Sequence, residues 1–300
     1  MKRWLPSGAA IVAVATTACG AARGQPSGSD STALGQREAR LAEAVARTDT
    51  ASDAPLARWV LPHGLGEISG LALTADQRLL AHNDEAGRVF EVDYRRGVIV
   101  KSFWIGTKVV HDDFEAIAVA GDRIFLLAST GKLYEFKEGA NKERVPFTLH
   151  DTHLGHECEF EGVTFDVTAN ALVLACKNIG LKKLRDFVVL YKYRLAGDSD
   201  SRISQVRIPL AQVIGANRWK GFSPSDITVD PASGDYLIVA SQEQGLLRVT
   251  AAGQVVWSRP LPSGHEMAEG VAITKDSLLI VSDEATSKTQ PGAITLYRWP

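Results

Sequence analysis

Cys158-Glu159-Phe160-Glu161-Gly162-Val163-Thr164-Phe165, followed after a turn by Ala171-Leu172-Val173-Leu174-Ala175-Cys176-Lys177, is the unit that this chain repeats. In each copy a polar residue and a small residue open an alternating strand, and a more apolar second strand answers it. Phe114-Glu115-Ala116-Ile117-Ala118-Val119 leads in this way to residues 123–129, and Ala268-Glu269-Gly270-Val271-Ala272-Ile273 leads to residues 277–282. Two copies carry serine in place of glutamate: Ile68-Ser69-Gly70-Leu71-Ala72-Leu73 and Pro224-Ser225-Asp226-Ile227-Thr228-Val229. The equivalent positions are therefore Ser69, Glu115, Glu161, Ser225 and Glu269. Their period is roughly 45 residues with one longer interval, which is the scale of a propeller or solenoid repeat.

Strands counted outward from these anchors come in fours. The first blade is expected over 68–73, 78–82, 88–93 and 98–105, and the second over 114–120, 123–129, 132–137 and 144–149. The third is expected over 160–166, 171–177, 187–195 and 203–210, and the fourth over 227–230, 236–241, 246–250 and 254–260, with turn residues between strands. The long interval between Glu161 and Ser225 holds one blade, its surplus lying in loops 178–186 and 211–222. The fifth copy supplies three strands, over 269–273, 278–283 and 293–299. Ala57-Arg58-Trp59-Val60-Leu61-Pro62 belongs to no blade and alternates as a strand should. Paired with residues 294–299 it closes the ring and leaves no open sheet edge. The expected fold is all-β, a five-bladed β-propeller closed by an N-terminal strand.

Composition sets the outer bounds. A chain of 300 residues with 45% hydrophobic and 23% charged content is an ordinary globular one with material for a large core. A net charge of -2, from 33 basic and 35 acidic residues without a basic run, argues against nucleic acid as a partner.

Met1-Lys2-Arg3, a short apolar core over residues 9–15 and the small residues Thr16-Thr17-Ala18 before Cys19 read as an export signal over 1–18. The apolar stretch falls far short of the ~20 residues that cross a bilayer. Cys19 resembles the acylated cysteine of a bacterial lipobox, although Thr16 stands where that motif usually has leucine, which leaves cleavage by the ordinary signal peptidase as the alternative. Gly20, where an inner-membrane retention signal has aspartate, favours an outer-membrane lipoprotein facing the periplasm. Residues 19–55 lack aromatic residues and apolar alternation, and read as a flexible tether to the propeller domain at 56–300. Within the tether a helix over 34–47 places Leu41 and Val45 on one face, a weak stripe that needs a partner.

With blades in this order, Ile68-Ser69-Gly70-Leu71, Phe160-Glu161-Gly162-Val163 and Ala268-Glu269-Gly270-Val271-Ala272 resemble the SdiA-regulated (YjiK-like) family of exported bacterial proteins. The resemblance spans roughly residues 57–300 and implies a five-bladed propeller; it implies no particular activity.

In a propeller the start of each first strand and the end of each second strand share one end of the ring. Here that end collects Glu67, Asp84, Asp113, Glu115, Glu161, Lys177, Asp226, Glu243, Glu269, Asp283 and Glu284, and also all seven histidines, while the opposite loops are plain turns. Two readings of the glutamates stand side by side. They can accept backbone N–H bonds between blades, with Lys177 paired to Glu115 or Glu161. Or Glu115, Glu161 and Glu269, with Asp226, hold a divalent cation such as Ca²⁺, while Glu67, Asp84, Asp113, Lys177, Glu243 and Asp283 line a ligand site around it. His150, His153 and His156 have a metal-like spacing but read as a solvated loop. No Gly-x-Ser-x-Gly elbow, phosphate loop or dinucleotide fingerprint is present.

With Cys19 set aside, Cys158 and Cys176 remain as a candidate disulfide. A simple hairpin register places Glu161, not Cys158, opposite Cys176, an offset of about three residues that the bridge has to span. The expected function is non-enzymatic. An exported monomeric propeller, lipid-tethered to the membrane, binds a small ligand or an envelope protein. The alternatives are a Ca²⁺-dependent lactone or phosphoester hydrolase and a purely structural envelope protein.

Overall fold

The five repeats fold as five antiparallel sheets arranged about one axis. The computed structural model describes residues 28–49, 52–196, 202–215, 217–287 and 290–300, so the export segment and Cys19 lie outside the described residues. Helix α1 (Gly28–Arg47) and strand β1 (Ala57–Val60) precede the first repeat. Blade one holds β2 (Ile68–Leu73), β3 (Leu79–Asn83), β4 (Arg88–Asp93) and β5 (Val98–Ile105). Blade two holds β6 (Phe114–Ala120), β7 (Arg123–Ala128), β8 (Lys132–Phe136) and β10 (Phe147–Asp151), and the short β9 (Arg144–Val145) between β8 and β10 pairs with blade one. Blade three holds β11 (Cys158–Asp166), β12 (Ala171–Ile179), β13 (Phe187–Arg194) and β14 (Ile203–Pro209), and a short α2 (Leu210–Ile214) leads to blade four. There β15 (Asp226–Val229), β16 (Tyr236–Ala240), β17 (Gly245–Val249) and β18 (Val255–Pro260) pair in order. Blade five holds β19 (Ala268–Ile273), β20 (Leu278–Asp283) and β21 (Ala293–Arg298).

The ring closes as the sequence predicts. β1 joins blade five, with Ala57 opposite Leu296, Arg58 opposite Thr295, Trp59 opposite Ile294 and Val60 opposite Ala293. Side chains fasten the closure on both sides of the seam. Arg58 Nη1 lies 3.0 Å from Asp283 Oδ2 and 2.9 Å from Thr295 Oγ1, and Trp59 Nε1 donates to the Tyr94 carbonyl of blade one at 2.8 Å.

Small residues let the inner strands meet. A Cβ on Gly162 would stand 3.0 Å from the Asp226 Cα, and one on Gly70 would stand 3.1 Å from the Ala116 Cα. Both distances are tighter than an ordinary Cβ contact, so glycine eases the close approach of one inner strand to the next at these two positions. The core is accordingly divided into layers between neighbouring blades. Phe125, Leu172 and Phe160 fill the layer shared by blades two and three, and Leu190, Ile227 and Ile238 the layer between blades three and four.

The structure differs from expectation in two places. Residues 144–149, read as one strand, divide at Pro146, which has no N–H to give to a ladder. Arg144 and Val145 run parallel to Trp104 and Ile105 on the outer edge of blade one, and β10 alone completes blade two. Part of the expected tether is also folded. Leu41 of α1 is 2% exposed within an apolar cluster that includes Leu61, Leu65 and Tyr94. Glu38 bonds Arg96, and the Arg37 guanidinium lies 5.4 Å from the centre of the Trp59 ring. The marginal helix thus has its partner in the seam between blades one and five.

Candidate functional site: a carboxylate mouth

A β-bulge opens the inner strand of four blades. Pairing slips between Ile68 and Gly70, between Phe114 and Ala116, between Phe160 and Gly162, and between Ala268 and Gly270. The unpaired residues are Ser69, Glu115, Glu161 and Glu269, the anchors of the repeat. A bulge turns its extra residue away from the alternation of the strand, so these side chains are released from the apolar face that simple parity would assign them. In blade four the strand starts at Asp226, one residue past the anchor, and Ser225 Oγ donates to the Ala268 carbonyl at 2.6 Å.

Glu161 and Lys177 form the central pair, at 2.8 Å, with 8% and 19% of their side chains exposed. Lys177 is shared. Burial works against its ammonium, but the Glu161 bond and the charges of Glu161, Glu269 and Glu115 outweigh this and its pKa is raised. The glutamates feel the opposite balance. Burial, reinforced by the charges of Glu161 and Asp113, pushes Glu115 up to about 9. Burial pushes Glu269 up to about 7 despite the attraction of Lys177. Glu161 is also raised by burial, with its Lys177 bond in opposition.

A second acidic tier surrounds them. Burial raises Asp84, with the charges of Glu85 and Asp113 adding to it. Burial likewise raises Glu284, beside Asp84 and Glu67. The charges of Glu67, Asp84, Asp113, Glu115, Glu161, Lys177, Glu269 and Glu284 thus act on one another at this end of the ring.

The remaining candidates stand apart. Asp226 is fully buried, and its Oδ2 accepts the Val271 N–H at 2.8 Å, linking blade four to blade five. Its Oδ1 makes no hydrogen bond, and burial, opposed by the backbone N–H groups of Val271, Ile227 and Leu71, raises its pKa well above the ordinary range. Glu243 accepts the Ser223 N–H at 3.0 Å and so ties down a loop of blade four. Asp283 is held by His265 Nδ1 at 2.8 Å and by Arg58, while His265 Nε2 meets the Tyr297 hydroxyl at 2.7 Å. These groups form a buried latch on the closing strand.

His150 pairs with Glu135 at 2.7 Å, while His153 and His156 are exposed in the following loop, so the three histidines do not converge. Among the described residues no three His, Cys, Asp or Glu side chains stand as a ready-made ligand set for a metal ion. Cys158 and Cys176 are bridged, their Cα atoms 5.7 Å apart. The bulge at Glu161 shortens the expected offset by one residue: Phe160 stands opposite Cys176 while Cys158 faces Ile179, and the bridge spans the hairpin diagonally. Beside this bridge, Lys177 directly follows Cys176 on β12.

Fold and site together define a five-bladed β-propeller with an acidic central mouth. No protein-family model and no curated protein sequence matches the chain. Solved structures do match its fold. Glutaminyl cyclase from Myxococcus xanthus superposes with a TM-score of 0.53 at 14% identity, over 81% of this chain and 95% of its own. The PQQ-bound aldose sugar dehydrogenase from Streptomyces coelicolor gives 0.51 at 13% identity, over 81% and 99%. A luciferin-regenerating enzyme gives 0.51 at 11% identity, over 82% and 96%. Likeness at these identities establishes the architecture and leaves function to the site.

Proposed function

We propose that this chain is a binding propeller whose mouth takes a cationic group, with a divalent cation such as Ca²⁺ as its occupant. The observation that carries the reading is the imbalance at the mouth. Glu115, Glu161 and Glu269 are held together by blade geometry and share one ammonium, Lys177. Buried carboxylates of this kind either keep protons or accept a cation with oxygen ligands. Among the described residues no preformed triad is present, so the cation completes its shell with carbonyl oxygens and water while Glu115 gives up its proton.

A ligand present at 100 times its dissociation constant and bound only to the folded state adds about 2.7 kcal/mol. For a domain of this size that is a rise in melting temperature of about 5–10 °C. Ca²⁺ is expected to produce this rise, EDTA to remove it, and Glu161→Gln to abolish the difference. A melt indifferent to EDTA, in protein purified without metal, would return the glutamates to a structural role between blades.

The hydrolase reading draws on one observation, Glu269 with a pKa of about 7 beside Lys177, which suits a general base. A turnover screen on lactones and phosphoesters, with and without Ca²⁺, separates it from plain binding.

Export, membership of the SdiA-regulated family, acylation of Cys19 and an outer-membrane location facing the periplasm belong to the same proposal. They rest on the sequence. Among the described residues no helix is long and apolar enough to cross a membrane. A diacylated cysteine would hold the domain at the bilayer by its lipid alone. Cys19→Ser is therefore expected to abolish lipid labelling and move the protein to the soluble envelope fraction; unchanged partitioning would place the anchor elsewhere.

A further inference from the structure

At the opposite end of the ring the same five inner strands build a different surface. The fifth residue of each repeat, counted from the anchor, is Leu73, Val119, Phe165, Val229 or Ile273, and all five line one funnel of about 420 Å³. Two residues nearer the carboxylate mouth, Leu71, Ile117, Val163, Ile227 and Val271 are at most 3% exposed, whereas Leu73, Val119, Phe165 and Val229 remain partly open. Val167, on the rim, is 76% exposed. A concave apolar surface contributed by every blade, in a size range that encloses a small molecule, is a binding site rather than scattered exposure.

The rim narrows the choice of ligand. Among the described residues Lys275 is the one charged side chain that lines the funnel. Its ammonium donates to the Ala75 carbonyl at 3.2 Å, and its backbone N–H donates to Gln77 Oε1 at 2.7 Å. The second bond joins the turn of blade five to that of blade one, so the Lys275 backbone is set in place before any ligand arrives. An ammonium whose hydrogen-bond partner is a neutral carbonyl retains its charge for an anion. The other mouth, dense in carboxylates, disfavours the same anion.

We propose that this funnel binds a single-chain amphiphile with a carboxylate head, its alkyl chain between the five apolar side chains and its head on Lys275. The site is separate from the carboxylate mouth and does not rest on the cation reading.

Calorimetric titration of the purified protein with dodecanoate, below its micelle concentration, tests this. Dodecyltrimethylammonium serves as the head-group control. Dodecanoate is expected to saturate a single site, with the cationic analogue at least tenfold weaker. Lys275→Glu, at an exposed position, is expected to weaken dodecanoate at least tenfold and reverse the preference. Val229→Trp, or Val119→Trp if the first does not fold, fills the funnel and is expected to weaken both ligands at least tenfold. Absence of saturable dodecanoate binding, equal affinity for the two head groups, or indifference to both Lys275→Glu and a folded funnel-filling variant would overturn the proposal.

Discussion

A chain lacking its first 62 residues is expected to aggregate, whereas one lacking its first 54 is expected to fold with a lower melting temperature. The longer deletion removes β1 and so leaves the ladder positions of β21, from Ala293 to Leu296, without partners. An unpaired, flat and apolar edge recruits other chains. It also strips Asp283 of Arg58 and opens the contact between Trp59 and blade one. The shorter deletion spares the sheet and removes α1 together with the exposed Asp53–Arg259 ion pair, which contributes little. Its cost is the packing of Leu41, comparable to a buried leucine-to-alanine change of about 2–5 kcal/mol, or roughly 5–15 °C in a domain of this length. Leu41→Ala in the full chain should reproduce most of that loss. Thermal melting with light scattering reads all three proteins; soluble monomer of equal stability from both truncations would mean that β1 does not close the ring.

The contrast between β1 and α1 shows what a one-dimensional reading reaches. Strand alternation is local, and its period of two puts the same residue types on the same face in every repeat. That made the blades legible, and made residues 57–62 visible as a strand without a sheet. The stripe of Leu41 and Val45 carries the same kind of information, but its worth depends on Trp59, Leu61 and Tyr94, which only the closed ring brings beneath it. The bulges were silent for another reason. An added residue in one strand changes no composition and no average period, yet it decides where Glu115, Glu161 and Glu269 point and which residue faces Cys176. Glu243 and Asp283 were grouped with the mouth because they share its end of the ring. Their partners, Ser223 in one case and His265 with Arg58 in the other, are contacts that spacing does not encode. Pro146 is readable in the sequence as a break, since on the outermost strand of a blade a residue without an N–H is tolerated only where it faces away from the ladder or begins a strand.

Replacing Lys177 by methionine is expected to destabilise the protein by about 3–5 kcal/mol near pH 8.5, as removal of one partner from a buried ion pair does, and by much less near pH 5.5. The substitution keeps the aliphatic bulk and deletes the charge that Glu161, Glu115 and Glu269 share. What happens next depends on protons. Each of these carboxyls already has a folded pKa above its unfolded value of 4.5, about 9 for Glu115 and about 7 for Glu269, with Glu161 also raised. A carboxyl whose folded pKa is raised binds more protons folded than unfolded, so its penalty is absent below pH 4.5 and grows as pH climbs towards the folded value. Loss of the ammonium moves those folded values higher still. The variant therefore retreats to neutral carboxyls in acid and has to hold bare buried charge in alkali. Buried His82, whose pKa is pushed down to about 4, tilts stability the other way between pH 4 and 6.5, but it does so in both proteins and cancels in their difference. Adding Glu115→Gln to Lys177→Met should recover part of the alkaline loss, because the amide resembles the protonated acid in shape and cannot ionise. Urea midpoints of the three proteins at the two pH values decide the matter. A Lys177→Met deficit that is the same at pH 5.5 and 8.5 would show that the lysine acts here by packing and that the carboxylates do not share its charge.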